Sequence, residues 1–158
     1  MKNAVAYEPS YLQVSTGSQA YGEDAKHWQN KVEKWGKEFS TKKISLISHL
    51  AEIYEDCIEP NWDGYEAERV VWDAYLNAKR FLETYPPSMP LPELSVDPDG
   101  EIVFEWYVSP YRNFSVSIGA EEVLNYAGLF DDGPKSGTDE FFGDIPAKIF
   151  CLINQLYP

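Results

Sequence analysis

The sequence predicts an α+β fold: an N-terminal helical hairpin, then one helix, an antiparallel sheet of about four strands, and a C-terminal helix. Three observations predict it. Apolar residues recur at steps of three and four over residues 23–58, 66–84 and 145–157, the period of a helix that buries one face. Between residues 94 and 129 they come in short alternating runs, the period of a half-buried strand. The turn sequence Asp97-Pro98-Asp99-Gly100 separates two of those runs, and connections this short imply antiparallel neighbours, because a parallel pair needs a long crossover.

Residues 1–21 are rich in Ser, Thr, Gly and Gln and read as a loosely held arm, with Tyr11–Val14 as a short edge strand. From Glu23 to Phe39 the residues Ala25, Trp28, Val32, Trp35 and Phe39 form one helical stripe. Ser40 or Thr41 offers an N-cap, because a side-chain oxygen there accepts from an unpaired backbone N–H of a new helix. A second helix follows, with Ile44, Ile47, Leu50, Ala51, Tyr54 and Ile58 on one side, and it ends before Pro60, since the residue preceding a proline avoids helical geometry. The expected division is an arm at 1–21, a hairpin at 22–59 and an α+β domain at 60–158.

Asn61-Trp62-Asp63-Gly64-Tyr65 is a turn by composition, with Gly64 in a conformation that other residues resist. A third helix is expected from about Glu66 to Thr84, its start favoured by Glu66 and Glu68 at the positive end of the helix dipole, its end set by Pro86-Pro87. Pro98 at the second position and Gly100 at the fourth predict a type I turn closed by a bulge. Phe104, Trp106, Phe114, Val116 and Ile118 are the expected inward face of the sheet, and Leu124–Leu129 its fourth strand. Residues 131–140 read as an acidic, Gly-rich loop. The last helix starts at Pro146, a residue suited to a first helical turn, and turns Ile149, Leu152, Ile153 and Leu156 inward.

The segments Asn61–Tyr65, Pro92–Ile102 with Glu105-Trp106, Phe114–Ile118 and Tyr126–Phe130 resemble a group of small bacterial proteins that carry an N-W-D-G-Y motif. The resemblance covers about residues 60–157. It implies a bacterial or phage-borne origin and no assigned activity, so it carries over no catalytic residue. Members of the group commonly have Gly or Ala where this chain has Glu66.

Charge is the strongest functional signal. Acidic residues outnumber basic ones 26 to 13, and the net charge is −13. Direct nucleic-acid binding is therefore not expected, because affinity for a phosphate backbone comes from Lys and Arg. The distribution is uneven. Residues 26–43 hold six lysines against Glu33 and Glu38, whereas residues 52–73 hold eight acids against Arg69 alone. No apolar run reaches the ~20 residues of a membrane span, and the N-terminal residues lack the apolar stretch of a signal peptide. The expectation is a cytoplasmic protein with no membrane partner, in which Asn113-Phe114-Ser115 is strand sequence rather than a glycosylation site, and Cys57 and Cys151 are reduced core thiols.

Sequence patterns for chemistry are lacking. His27 and His49 could meet across the hairpin, but neither has a Cys or His at ligand spacing, and no metal or cofactor is expected. Asp97–Glu101 lacks the downstream Glu of a calcium loop, and position 106 is Trp106. There is no Gly-x-Ser-x-Gly elbow, and Gly133–Gly137 lacks phosphate-loop spacing. The leading expectation is a non-enzymatic acidic protein-binding module that covers a basic protein surface. An inhibitor of a nucleic-acid-handling machine fits, such as an anti-CRISPR protein or an antitoxin-like immunity factor. A small hydrolase using carboxylates and a structural scaffold are the alternatives, and homo-oligomerisation is left open. The expected partner-binding residues are Glu52, Glu55, Asp56 and Glu59, Trp62 in the turn, and Asp131, Asp132, Asp139 and Glu140.

Overall fold

Helix α1 runs unbroken from Gln19 to Asp56, so the expected hairpin does not form. Thr41 does not cap a second helix. Its Oγ1 donates to the Lys37 carbonyl four residues back, at 2.9 Å, which satisfies the hydroxyl inside a continuing helix. The apolar phase also continues past this point: Phe39, Leu46 and Tyr54 are partly buried and Leu50 is fully buried. With one helix in place of two, His27 and His49 do not face each other across a hairpin.

The computed structural model describes residues 19–158, with side chains from Gly22 onward. The arm and the strand at Tyr11–Val14 expected from the sequence lie outside the described residues, except that residues 19–21 begin α1. The chain divides into two units, Met1–Gly36 and Lys37–Pro158. In the first, Trp28, Val32 and Trp35 are exposed on α1, and the Lys31 ammonium lies 5.1 Å from both indole rings.

In the second unit, helix α2 spans Trp72–Thr84 and helix α3 spans Ala147–Leu156. The five strands are β1 (Glu93–Val96), β2 (Ile102–Ser109), β3 (Arg112–Ile118), β4 (Val123–Phe130) and β5 (Gly133–Glu140). They form one antiparallel meander in sequence order. The fifth strand replaces the expected loop at 131–140. β5 contains two glycines, a proline and charged residues, all poor strand formers. Full-length pairing with β4, from Phe130 opposite Gly133 to Val123 opposite Glu140, overrides that propensity. Pro134 is tolerated because β5 is an edge strand.

The inward face holds Ile102, Phe104, Trp106, Phe114, Val116, Ile118, Leu124 and Tyr126, all buried. α2 packs on β2 and β3, and α3 on β3. The registers Phe104 to Val116 and Trp106 to Phe114 place these side chains opposite one another. Helix α2 begins six residues later than expected. Ala67 and Val70 are buried, but in a segment held by Glu68 N–H donating to Pro98 O (2.8 Å) and Val70 N–H to Cys57 O (2.8 Å). Glu66 and Glu68 therefore sit outside the helix they were expected to start. Cys57 is buried, but Cys151 is exposed, because it falls between the buried positions Ile149, Leu152 and Ile153 of α3.

Two devices fix the loops around this core. Asn77, buried on α2, donates through Nδ2 to the carbonyls of Gly119 (3.1 Å), Glu121 (3.3 Å) and Ala120 (3.4 Å), holding the β3–β4 connection. At the β1–β2 turn Gly100 has φ +79°, and a Cβ there would lie 2.5 Å from the Arg69 carbonyl oxygen. Only glycine meets both demands.

Candidate functional site

Three helices end among the described residues, and their ends are treated differently. The last carbonyls of a helix have no intrahelical partner and carry partial negative charge, so cations stabilise them. At α2, Lys43 Nζ donates to Glu83 O (2.7 Å) and Tyr85 O (3.1 Å). At α3, an Arg112 guanidinium nitrogen donates to Leu156 O (2.8 Å) and Gln155 O (3.4 Å). Both cations come from distant sequence, and neither helix has a basic residue in its own last turn.

The end of α1 has no basic residue in its last turn either. Instead it carries Glu52, Glu55 and Asp56, followed by Glu59, all exposed. Glu52 approaches His49, with Oε2 3.4 Å from Nδ1. Among the described residues no Lys or Arg pairs with Glu55, Asp56 or Glu59. Carboxylates at this end add to the dipole's negative charge. Burial and then the adjacent Asp56 push the Cys57 thiol above its ordinary range.

The loop after α1 is built by its own polar groups. Asp63 Oδ1 accepts from the N–H of Tyr65 (2.7 Å) and Ala67 (3.2 Å), and Asn61 Oδ1 accepts from Glu66 N–H (2.8 Å). Asn61, Gly64 and Glu66 all have positive φ, of 64°, 77° and 69°. Gly64 thus has the expected conformation. Glu66 occupies backbone space that favours glycine. Trp62 is partly buried against the core, and its Nε1–H donates to Glu68 O at 2.9 Å. Its indole works inside the loop, while Tyr65 points outward at 89% exposure.

Sequence reading did not single out Trp72. It is 54% exposed at the start of α2, stacked on Tyr75 (centroids 5.0 Å, 29°) and meeting Tyr54 edge to face (5.5 Å, 65°). Tyr54 comes from the last turns of α1, so this cluster adjoins the acidic end. A notch of about 290 Å³ opens there, lined by Tyr54, Ile58, Arg69, Val70, Val71 and Trp72. The only sequence hint is the i, i+3 spacing of Trp72 and Tyr75, which puts the two rings on one helix face.

The second predicted acidic group is not one patch. Asp131 and Asp132 form the β4–β5 turn, and each meets a cation: Asp131 Oδ1 is 3.6 Å from Arg112 Nε, and Asp132 Oδ2 is 2.8 Å from Lys135 Nζ. The Lys135 hydrogen bond holds the Asp132 carboxyl below its ordinary range. Asp139 and Glu140 stand at the other end of β5. Asp139 lies opposite Leu124 and is partly buried, with Oδ2 shielded and without a hydrogen-bond partner. The structure thus leaves Glu55, Asp56 and Glu59 exposed around the end of α1 and divides Asp131, Asp132, Asp139 and Glu140 between the two ends of β5.

Among the described residues no group of three or more His, Cys, Asp or Glu could hold a metal ion, and no helix is long and apolar enough to cross a membrane. Comparison with protein-family models, curated proteins and solved structures gives no match.

Proposed function

We propose that the protein is a non-enzymatic acidic binding module that docks the end of α1 onto a basic protein surface. One observation carries the reading: α2 and α3 receive a cation at their C-terminal ends, whereas α1 ends in carboxylates without one. Folding gains nothing from that arrangement, since like charges at a helix end cost stability. A basic partner would supply the missing cation and be steered in by the field. The adjacent ring cluster of Tyr54, Trp72 and Tyr75 offers the large rigid aromatic area that interface hot spots favour. The partner we favour is a nucleic-acid-binding protein in a bacterial cytoplasm, whose basic surface the module would cover as an inhibitor or immunity factor.

The test is affinity capture with the whole chain and with a Glu55→Lys/Asp56→Lys/Glu59→Lys variant of unchanged circular dichroism. The wild type should retain a nucleic-acid-binding protein at low salt and release it at about 1 M salt, where the screening length is about 3 Å. The variant should retain none. Equal retention by both would reject the α1 end as the docking surface.

A further inference from the structure

We propose that β5 pairs with β5 of a second copy of this chain across a two-fold axis, joining the two sheets edge to edge. β5 is an edge of its sheet, and among the described residues no strand covers its outer side. Which backbone groups face that side follows from the register. Phe141 N–H donates to Glu122 O at 2.9 Å, so these two residues, in line with the β4–β5 register, form a hydrogen-bonded pair. Such pairs alternate along an antiparallel ladder. Gly133, Lys135, Gly137 and Asp139 therefore turn their backbone groups toward β4. Pro134, Ser136, Thr138 and Glu140 turn theirs to the open edge, where the N–H that Pro134 lacks breaks no bond to β4. An uncovered row of this kind is a template for another strand. The other edge, β1, has only four residues.

The sequence of β5 names the occupant. Two antiparallel self-pairings set open-edge residues opposite one another along nearly the whole strand. With Ser136 opposite Ser136, Asp132 meets Glu140 of the second copy, and like charges directly opposite repel. With Ser136 opposite Thr138, Gly137 falls on the axis and Lys135 stands opposite Asp139 of the second copy, twice. That pair is of the non-hydrogen-bonded class, whose Cα atoms approach to about 4.5 Å. Lys135 and Asp139 share one face of β5, both partly buried. Lys135 Nζ donates to Asp132 Oδ2 (2.8 Å) and Gln155 Oε1 (2.7 Å), and an ammonium has a third N–H to offer. Asp139 Oδ2 is shielded and without a hydrogen-bond partner. The pairing thus brings a donor toward a carboxylate with an unsatisfied oxygen. Pairing one strand buries less than the ~1,200 Å² of a standard interface, so the dimer is weak, with Kd on the order of 0.1 mM.

The experiment is sedimentation equilibrium of the full chain at about 0.15 M salt, where the two acidic chains screen each other beyond about 8 Å. Between about 10 μM and 1 mM the average mass should rise from one chain toward two. Lys135→Glu and Asp139→Lys should each weaken association at least about tenfold, because each sets like charges opposite one another twice. The double variant Lys135→Glu/Asp139→Lys reverses the pair but keeps it, and should restore association to within about threefold of the wild type. Ser136→Pro removes an N–H from the open edge and none from the ladder to β4, so it should abolish the dimer with unchanged circular dichroism. A one-chain mass at every concentration, a dimer that survives Ser136→Pro, or a double variant as weak as the single ones would overturn the pairing.

Discussion

At the ends of α2 and α3 a cation arrives from distant sequence; at the end of α1 carboxylates stand where a cation would. Lys43 and Arg112 each reach a helix end through two hydrogen bonds to terminal carbonyls. Glu55, Asp56 and Glu59 make no ion pair with a Lys or Arg among the described residues. A protein with twice as many acids as bases thus places two of its few cations on helix ends and leaves the third end acidic. The same contrast divides the acidic residues themselves. Asp131 and Asp132 are paired within the fold, so their charge is already answered. The charge at α1 is not. The difference teaches that net charge alone is a poor guide to a surface; the pairing of each carboxylate decides what remains for a partner.

The largest expected effect lies where α1 hands over to α2. Gly100→Ala would push a Cβ into the Arg69 carbonyl at a positive φ, in the turn that also receives the Glu68 N–H on Pro98. Loss of about 2–3 kcal/mol in urea unfolding is expected. Removing the answered cations comes next. Lys43→Met and Arg112→Met should each cost about 1–2 kcal/mol, since each leaves two helix carbonyls without a donor. Glu66→Gly should gain about 0.5 kcal/mol by relieving a left-handed backbone, after the extra entropy of glycine in the unfolded chain is offset. Neutralising the unanswered end should move stability the other way from the cation losses. Glu55→Gln and Asp56→Asn should each be neutral or stabilising by about 0.3 kcal/mol. A loss of more than about 1 kcal/mol for either would break the contrast between the helix ends.

The smallest effect is chemical. Exposed Cys151 should react quickly with a thiol reagent, and buried Cys57 slowly. Burial and Asp56 raise the Cys57 pKa, so the folded state keeps its proton longer than the unfolded chain does. Stability should therefore fall as pH rises above the ordinary thiol range, because there the unfolded state binds fewer protons. Asp56→Asn should hasten Cys57 labelling by a small factor, with no change at Cys151.

The sheet was legible where the sequence is strongly patterned. Phe104, Trp106, Phe114, Val116 and Ile118 alternate with small or polar residues, and all five are buried as their period requires. The turn at Asp97–Gly100 was legible because Pro and Gly leave the backbone little choice. β5 was not, because its glycines, proline and charged residues are poor strand formers and pairing with β4 overrides them. The length of α1 was hidden by Ser40 and Thr41, which read as an N-cap, whereas the Thr41 hydroxyl bonds back to the Lys37 carbonyl inside one continuing helix. The site was half legible. Composition marked Glu52, Glu55, Asp56 and Glu59, but it also marked Asp131 and Asp132, and no local signal says that Arg112 and Lys135 answer those. Trp72 was missed because its exposure depends on how α1 and α2 place Tyr54 and Tyr75 around it.

The central claim is that the end of α1 is the charge the fold leaves for a partner. Amide chemical-shift mapping during a titration with nona-lysine tests it most directly, because it asks every acidic surface at once. Shifts should concentrate at residues 52–59 and 72–75, stay small at Asp131 and Asp132, and fade as salt is raised. Equal or larger shifts at Asp131–Glu140, or a diffuse pattern over all carboxylates, would contradict it.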